Sequence, residues 1–155
     1  MLKRSLAMKK IIALLIVACS LNVHAAAGTD YTVPYANDEL FHVFGDKPGL
    51  VKLVDDFHDN LMRDPRTRPF FENVEQDFLK EKLVEQFCEV LGGPCVYNGP
   101  LMSKIHAQRG IGKTEFNALV QALQLAMDKN GIPFPAQNKL LAKLAPMHRD
   151  VVTKQ

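Results

Sequence analysis

Between Asn98-Gly99-Pro100 and Gly110 the chain has room for only about two turns of helix, from Leu101 to Gln108, and that short segment carries His106. The sequence on either side is patterned as longer helices. Leu50, Val51, Val54, Phe57, His58, Leu61 and Met62 recur at three- and four-residue steps up to Asp64-Pro65, which predicts a helix with His58 on its apolar face. Ahead of it, Asp38-Glu39 followed by Leu40, Phe41, Val43 and Phe44 predicts a short capped helix, stopped by Gly45 and the Lys47-Pro48-Gly49 break.

Beyond the Phe70-Phe71 pair, a third helix is expected from about Glu75 to Leu91, with Leu79, Leu83, Phe87, Val90 and Leu91 on one stripe and Lys82 beside it. Gly92-Gly93-Pro94 ends it. Two amphipathic helices close the chain, Thr114 to Lys129 with Phe116, Leu119, Val120, Leu123 and Met127, and Ala136 to about Val151 with Leu140, Leu141, Leu144 and Met147. No segment alternates with the period of a strand, and there is no internal repeat. The expected fold class is all-α, in one domain over residues 38–155, preceded by an irregular extension at 28–37.

The first 27 residues read as an export signal: Lys3, Arg4, Lys9 and Lys10 precede the apolar run Ile11 to Ala18, and small residues follow at Ala25 to Ala27. That run is too short for a membrane span, so the expected location is periplasmic without a membrane span. Ordinary cleavage after Val23-His24-Ala25 is favoured, while Ile16-Val17-Ala18-Cys19 resembles a relaxed lipobox in which Cys19 would be lipid-anchored. Four of the 19 basic residues and none of the 17 acidic ones lie in the first 25 positions. The mature chain is therefore slightly acidic, and with no basic cluster interleaved with aromatics a nucleic acid is not expected as partner. Cys88 and Cys95 remain, seven residues apart. They either pair, if Gly92-Gly93-Pro94 folds Cys95 back, or stay as two thiols, which is the favoured reading.

The blocks "DDFHDNLMRDPRTRPFF", "FLKEKLVEQFCEVLGGP", "YNGPLMSKIHAQRGIG" and "GIPFPAQNKLLAKLAP" resemble, in order and spacing, those of the group I truncated haemoglobins. The resemblance spans roughly residues 38 to 152. It implies a two-on-two helical sandwich around haem, with His106 as the proximal ligand of the iron. Met102, Ile105 and Ile111 beside it, the stripe of Leu79, Leu83 and Phe87, Phe71 at the corner and Phe116 would then supply the apolar slot. Since the chain contains no Cys-x-x-Cys-His, the expected cofactor is haem b. "APMH", ending in His148, is similar to a cyanobacterial truncated globin in which a histidine there bonds covalently to the haem; a solvated histidine near a helix end is the favoured alternative.

The chain departs from the family on the distal side. His58 stands where a tyrosine is usual and Leu83 where a glutamine is usual, so the pair associated with tight oxygen binding is absent. His58 could donate a hydrogen bond to an oxygen ligand, act as an acid–base group toward peroxide, ligate the iron, or be an inert packed histidine. Lys82 occupies a position where some truncated globins place a sixth ligand, though a lysine there more often reaches solvent or a propionate. Asp46 replaces a second glycine after Gly45, and Gln86 replaces an apolar residue, offering part of the polarity lost at Leu83. The function implied by the resemblance is reversible binding of a diatomic ligand, oxygen or nitric oxide, in oxygen transport or ligand capture. The alternatives are haem redox chemistry on peroxide, nitrite or nitric oxide, and electron transfer through a six-coordinate haem, each needing an electron donor as partner.

Overall fold

The apolar steps and the Gly/Pro breaks produce eight helices among residues 33–154, the residues that this computed structural model describes. The expected leader at 1–27, Cys19 and the start of the extension lie outside them. The helices are α1 (Glu39–Val43), α2 (Asp46–Arg63), α3 (Arg68–Phe71), α4 (Gln76–Val90), α5 (Met102–His106), α6 (Lys113–Lys129), α7 (Phe134–Leu144) and α8 (His148–Val151), with a 3₁₀ turn at Ala145–Met147 between the last two. No strand occurs among the described residues.

Most boundaries follow from local chemistry. At the start of α4 the Glu75 carboxylate accepts from the Asp77 and Phe78 N–H groups, two of the donors that a helix start leaves without partners. The Glu115 carboxylate does the same for the Gly112 N–H ahead of α6. Three boundaries differ from the sequence expectation. Pro48-Gly49 does not break the chain but lies in the first turn of α2, where a missing N–H costs nothing. Phe70-Phe71 belongs to a one-turn helix instead of a loop. The last helix is not continuous, because Pro146 cannot extend an α-helical hydrogen-bond ladder, and the chain passes through the 3₁₀ turn before α8. Asp46 does take up left-handed backbone, at φ 58°, after Gly45 at φ 79°.

The layers are set by α2, which packs on both α4 and α6, while α7 closes against α4 and α6. Leu50, Leu53, Val54, Phe57 and Leu61 of α2 meet Val84, Phe87 and Cys88 of α4 and Leu123 and Met127 of α6 in one core. Ala118, Ala122 and Ala126, all buried, give α6 a smooth face for close approach, and Asn60 of α2 donates to the Ala122 carbonyl across it. At the far end Asp56 accepts from Lys129 and Asn130, tying the same two helices together. The residue at 35 corrects the reading of the extension: its backbone is irregular, but the Tyr35 N–H bonds the Val90 carbonyl and its ring packs on the core.

Cys88 and Cys95 are joined in a disulfide, so the favoured reading of two free thiols is overturned. The reason is the turn between them. Gly92 adopts φ +83° and the Gly93 N–H bonds the Cys88 carbonyl, which reverses the chain and brings the two Cα atoms to 5.7 Å. A side chain at Gly92 would collide with the Asn37 carbonyl, so the turn needs glycine twice over.

Two predictions follow from this packing. Cys95→Ser is expected to lower the unfolding free energy in urea by about 2 kcal/mol, as chain entropy suggests for so short a loop. Reductant should do the same to the wild type and leave the variant unchanged. Lys129 beside Asp56, foremost among its neighbours, holds that carboxyl below its ordinary pKa. A lowered folded-state pKa stabilises above the ordinary carboxylate range and fades as pH falls through the folded value. Asp56→Asn should therefore destabilise modestly at neutral pH, Lys129 being exposed, and the difference from wild type should shrink in acid; a pH-independent difference would show the pairing to be idle.

Candidate functional site

His106 sits at the end of the five-residue α5, a segment too short to be stable alone. It is fixed from outside. The Arg109 guanidinium donates to the Ile105 and Phe70 carbonyls, α8 packs against α5, and the Ile111 carbonyl accepts from the Thr153 and Lys154 N–H groups. Within this frame His106 Nδ1 lies 2.8 Å from the Met102 carbonyl oxygen. A carbonyl can only accept, so Nδ1 carries the proton and Nε2 is left with a lone pair. Burial lowers the His106 pKa, opposed by the bond to Met102 and aided by the positive charge of Arg109. The result is a neutral imidazole of fixed tautomer, as a metal-ligating histidine requires.

A side chain that contacts a large flat cofactor should be only partly covered by the polypeptide. Phe71, Leu79, Leu83, Met102, Ile105 and Phe116 meet that description, as do Leu119 and Leu144. They come from α3, α4, α5, α6 and α7, and Phe71, Leu83, Leu119 and Leu144 all lean on the core while leaving one side uncovered. Phe87 and Ile111 do not share this position. Phe87 is 2% exposed and its ring lies 6.3 Å from that of Phe57, so the protein itself covers it; Ile111 is likewise buried.

The polar residues expected on the distal side are committed elsewhere. Lys82 Nζ is bonded to Glu85, Glu81 and Asn98 and lies 5.5 Å from the Phe78 ring centroid. Glu85 foremost raises its pKa, and a protonated amine has no lone pair for iron. Gln86 is buried with its amide against Met147 Sδ, 3.7 Å away, so the polarity expected of it is turned to the 3₁₀ turn. His148 is half-buried, its ring edge-on to Phe116 with centroids 4.8 Å apart.

His58 is half-buried on α2, its Nε2 hydrogen-bonded to Gln76 Oε1. Its Nδ1 is buried without a partner, an arrangement that costs roughly 1–3 kcal/mol. Gln76 was not evident as a site residue from the sequence. The available signal was its spacing, three and seven positions before Leu79 and Leu83 on the same helix face.

The residues present fit haem. Among the described residues no group of three or more His, Cys, Asp or Glu side chains is placed to hold a metal ion. A histidine with a free lone pair, in a fold that also leaves a set of apolar side chains half-covered, is suited to iron in a porphyrin. No helix among the described residues is long and apolar enough to cross a membrane.

Comparison with known proteins points the same way. A family model for bacterial-like globins matches residues 39–153. The chain is 29% identical over 114 residues to the group 1 truncated haemoglobin of Mycolicibacterium paratuberculosis, covering 74% of this chain and 84% of that one. In fold it is similar to the Fe(III) form of the truncated haemoglobin of Tetrahymena pyriformis, with TM-score 0.70 at 21% identity, covering 74% of this chain and 98% of that one. It is also similar to a 2/2 haemoglobin of Synechococcus sp. solved in the cyanomet state with covalently attached haem, with TM-score 0.69 at 18% identity and the same two coverages.

Proposed function

The chain belongs to the bacterial-like globin family, as a truncated globin of group I, and on that premise we propose that it holds haem b through His106 and reversibly binds a diatomic ligand, oxygen or nitric oxide. The observation that carries this reading is the His106 imidazole, neutral, with Nδ1 tied to the Met102 carbonyl and Nε2 free. Ferrous haem supplies the metal on which a small ligand binds. The chain supplies the fifth ligand and an apolar slot that excludes water.

Attachment is non-covalent in this reading. The chain has no Cys-x-x-Cys-His, and Cys88 and Cys95 are consumed in their disulfide. Lys82 is held as a cation by Glu85, which removes its lone pair, and the His58 ring is anchored to Gln76 through Nε2, away from a free swing toward the iron's second face. That favours five-coordinate iron over the six-coordinate, electron-transfer reading. Export is supported by the disulfide, because such bridges persist in oxidising compartments.

The test is the absorption spectrum of the reconstituted protein. A Soret band with high-spin ferric and ferrous features is expected, with the haem extractable into acidified butanone. His106→Ala should abolish tight haem retention. Absence of a Soret band in the wild type would refute the reading, and undiminished haem retention by His106→Ala would refute the role of His106.

A further inference from the structure

The bonds around Gln76 determine which nitrogen of His58 carries a proton. Gln76 Nε2 donates to the Phe71 carbonyl at 2.9 Å and to the Val74 carbonyl at 2.5 Å. Reversing the amide would set its oxygen against two carbonyl oxygens, so its orientation is fixed. Oε1 therefore faces His58 Nε2, and only an N–H can pair with it. The neutral ring has one N–H, which this bond consumes. Nδ1 is left as a bare acceptor, buried and without a partner.

The remaining distal candidates offer nothing in its place. Leu79 and Leu83 are hydrocarbon, and the ammonium of Lys82 is engaged by Glu81, Glu85 and Asn98. We propose that Gln76 sets ligand selectivity: by capturing the His58 N–H it leaves a distal face without a hydrogen-bond donor, which favours nitric oxide and carbon monoxide over dioxygen. Dioxygen is the ligand that depends on a donor, because binding draws negative charge onto its outer atom. Gln76 is thus a positioning residue acting through His58, and the inference rests on the haem reading above.

Two measurements test it. In the haem-loaded protein with carbon monoxide bound, NMR of the ring nitrogens at mildly alkaline pH should show His58 protonated at Nε2 and bare at Nδ1; a proton on Nδ1 would overturn the proposal without any substitution. Gln76→Leu frees the N–H, so dioxygen release should slow by roughly tenfold, the worth of one hydrogen bond, with carbon monoxide release little changed. Adding His58→Leu to that variant should abolish the slowing. Unchanged dioxygen release in a folded, haem-loaded Gln76→Leu protein, or slowing that survives loss of His58, would overturn it. Failure to take up haem at all would refute the cofactor reading instead, and a Soret band separates the two.

Discussion

The 2.8 Å hydrogen bond from His106 Nδ1 to the Met102 carbonyl is the contact that the site depends on, because it decides which nitrogen keeps a lone pair. It is made within a single helical turn and would be lost with that turn. A five-residue helix has no stability of its own, so α5 borrows its order from its neighbours. Arg109 reaches back to the Phe70 carbonyl of α3, Ile111 receives two N–H groups from the irregular backbone after α8, and α8 packs on α5 directly. The chemistry of one imidazole is thereby tied to segments more than thirty residues away in each direction.

The same logic explains the break at Pro146. A last helix running straight to Val151 would have no reason to turn toward α5. The 3₁₀ turn redirects the chain, buries Met147 and Val151, and brings His148 edge-on to Phe116. On the opposite side the glycine turn after α4 serves a comparable purpose. Gly92 at positive φ and the Cys88–Cys95 disulfide fold the chain back at the end of α4, and the Tyr35 N–H secures the Val90 carbonyl there. The glycine turn and disulfide limit the freedom of the stretch that leads into α5, while the turn at Pro146 precedes α8, which packs on α5 from the far end of the chain.

Much of this was legible in the sequence, for identifiable reasons. Long apolar stripes such as that of α2 persist because burial against two partners enforces their period, and the Leu91-Gly92-Gly93 end of α4 is written in residues that few other structures require. His106 could be singled out as a candidate through its short segment and the matching blocks around it. What was not legible depends on tertiary direction. Period alone places Leu83 and Phe87 on one stripe, yet Leu83 is half-covered while Phe87 is sealed against Phe57. Lys82 reads as a mobile cation until Glu85 and Asn98, sixteen residues beyond it, are seen to enclose it. The disulfide depended on a turn whose backbone only the fold specifies.

Gln76 shows why a residue that acts through another side chain can escape a motif-based reading. Its amide makes three bonds at once: two to carbonyls at the α3–α4 corner and one to His58 on α2. The first two are structural, holding the backbone between Phe71 and Gln76; the third is chemical, deciding the tautomer of a ring that faces it from another helix. One side chain therefore couples the shape of the corner beside Phe71 to the hydrogen-bonding character of the His58 ring. A tyrosine at position 58 would carry its donor on a rotating hydroxyl, free to choose between partners. An imidazole has one N–H in a rigid ring, so a bond to Gln76 commits it completely. The unpartnered Nδ1 is the cost of that commitment, and it is borne by a core that the α2–α4 and α2–α6 contacts already make secure.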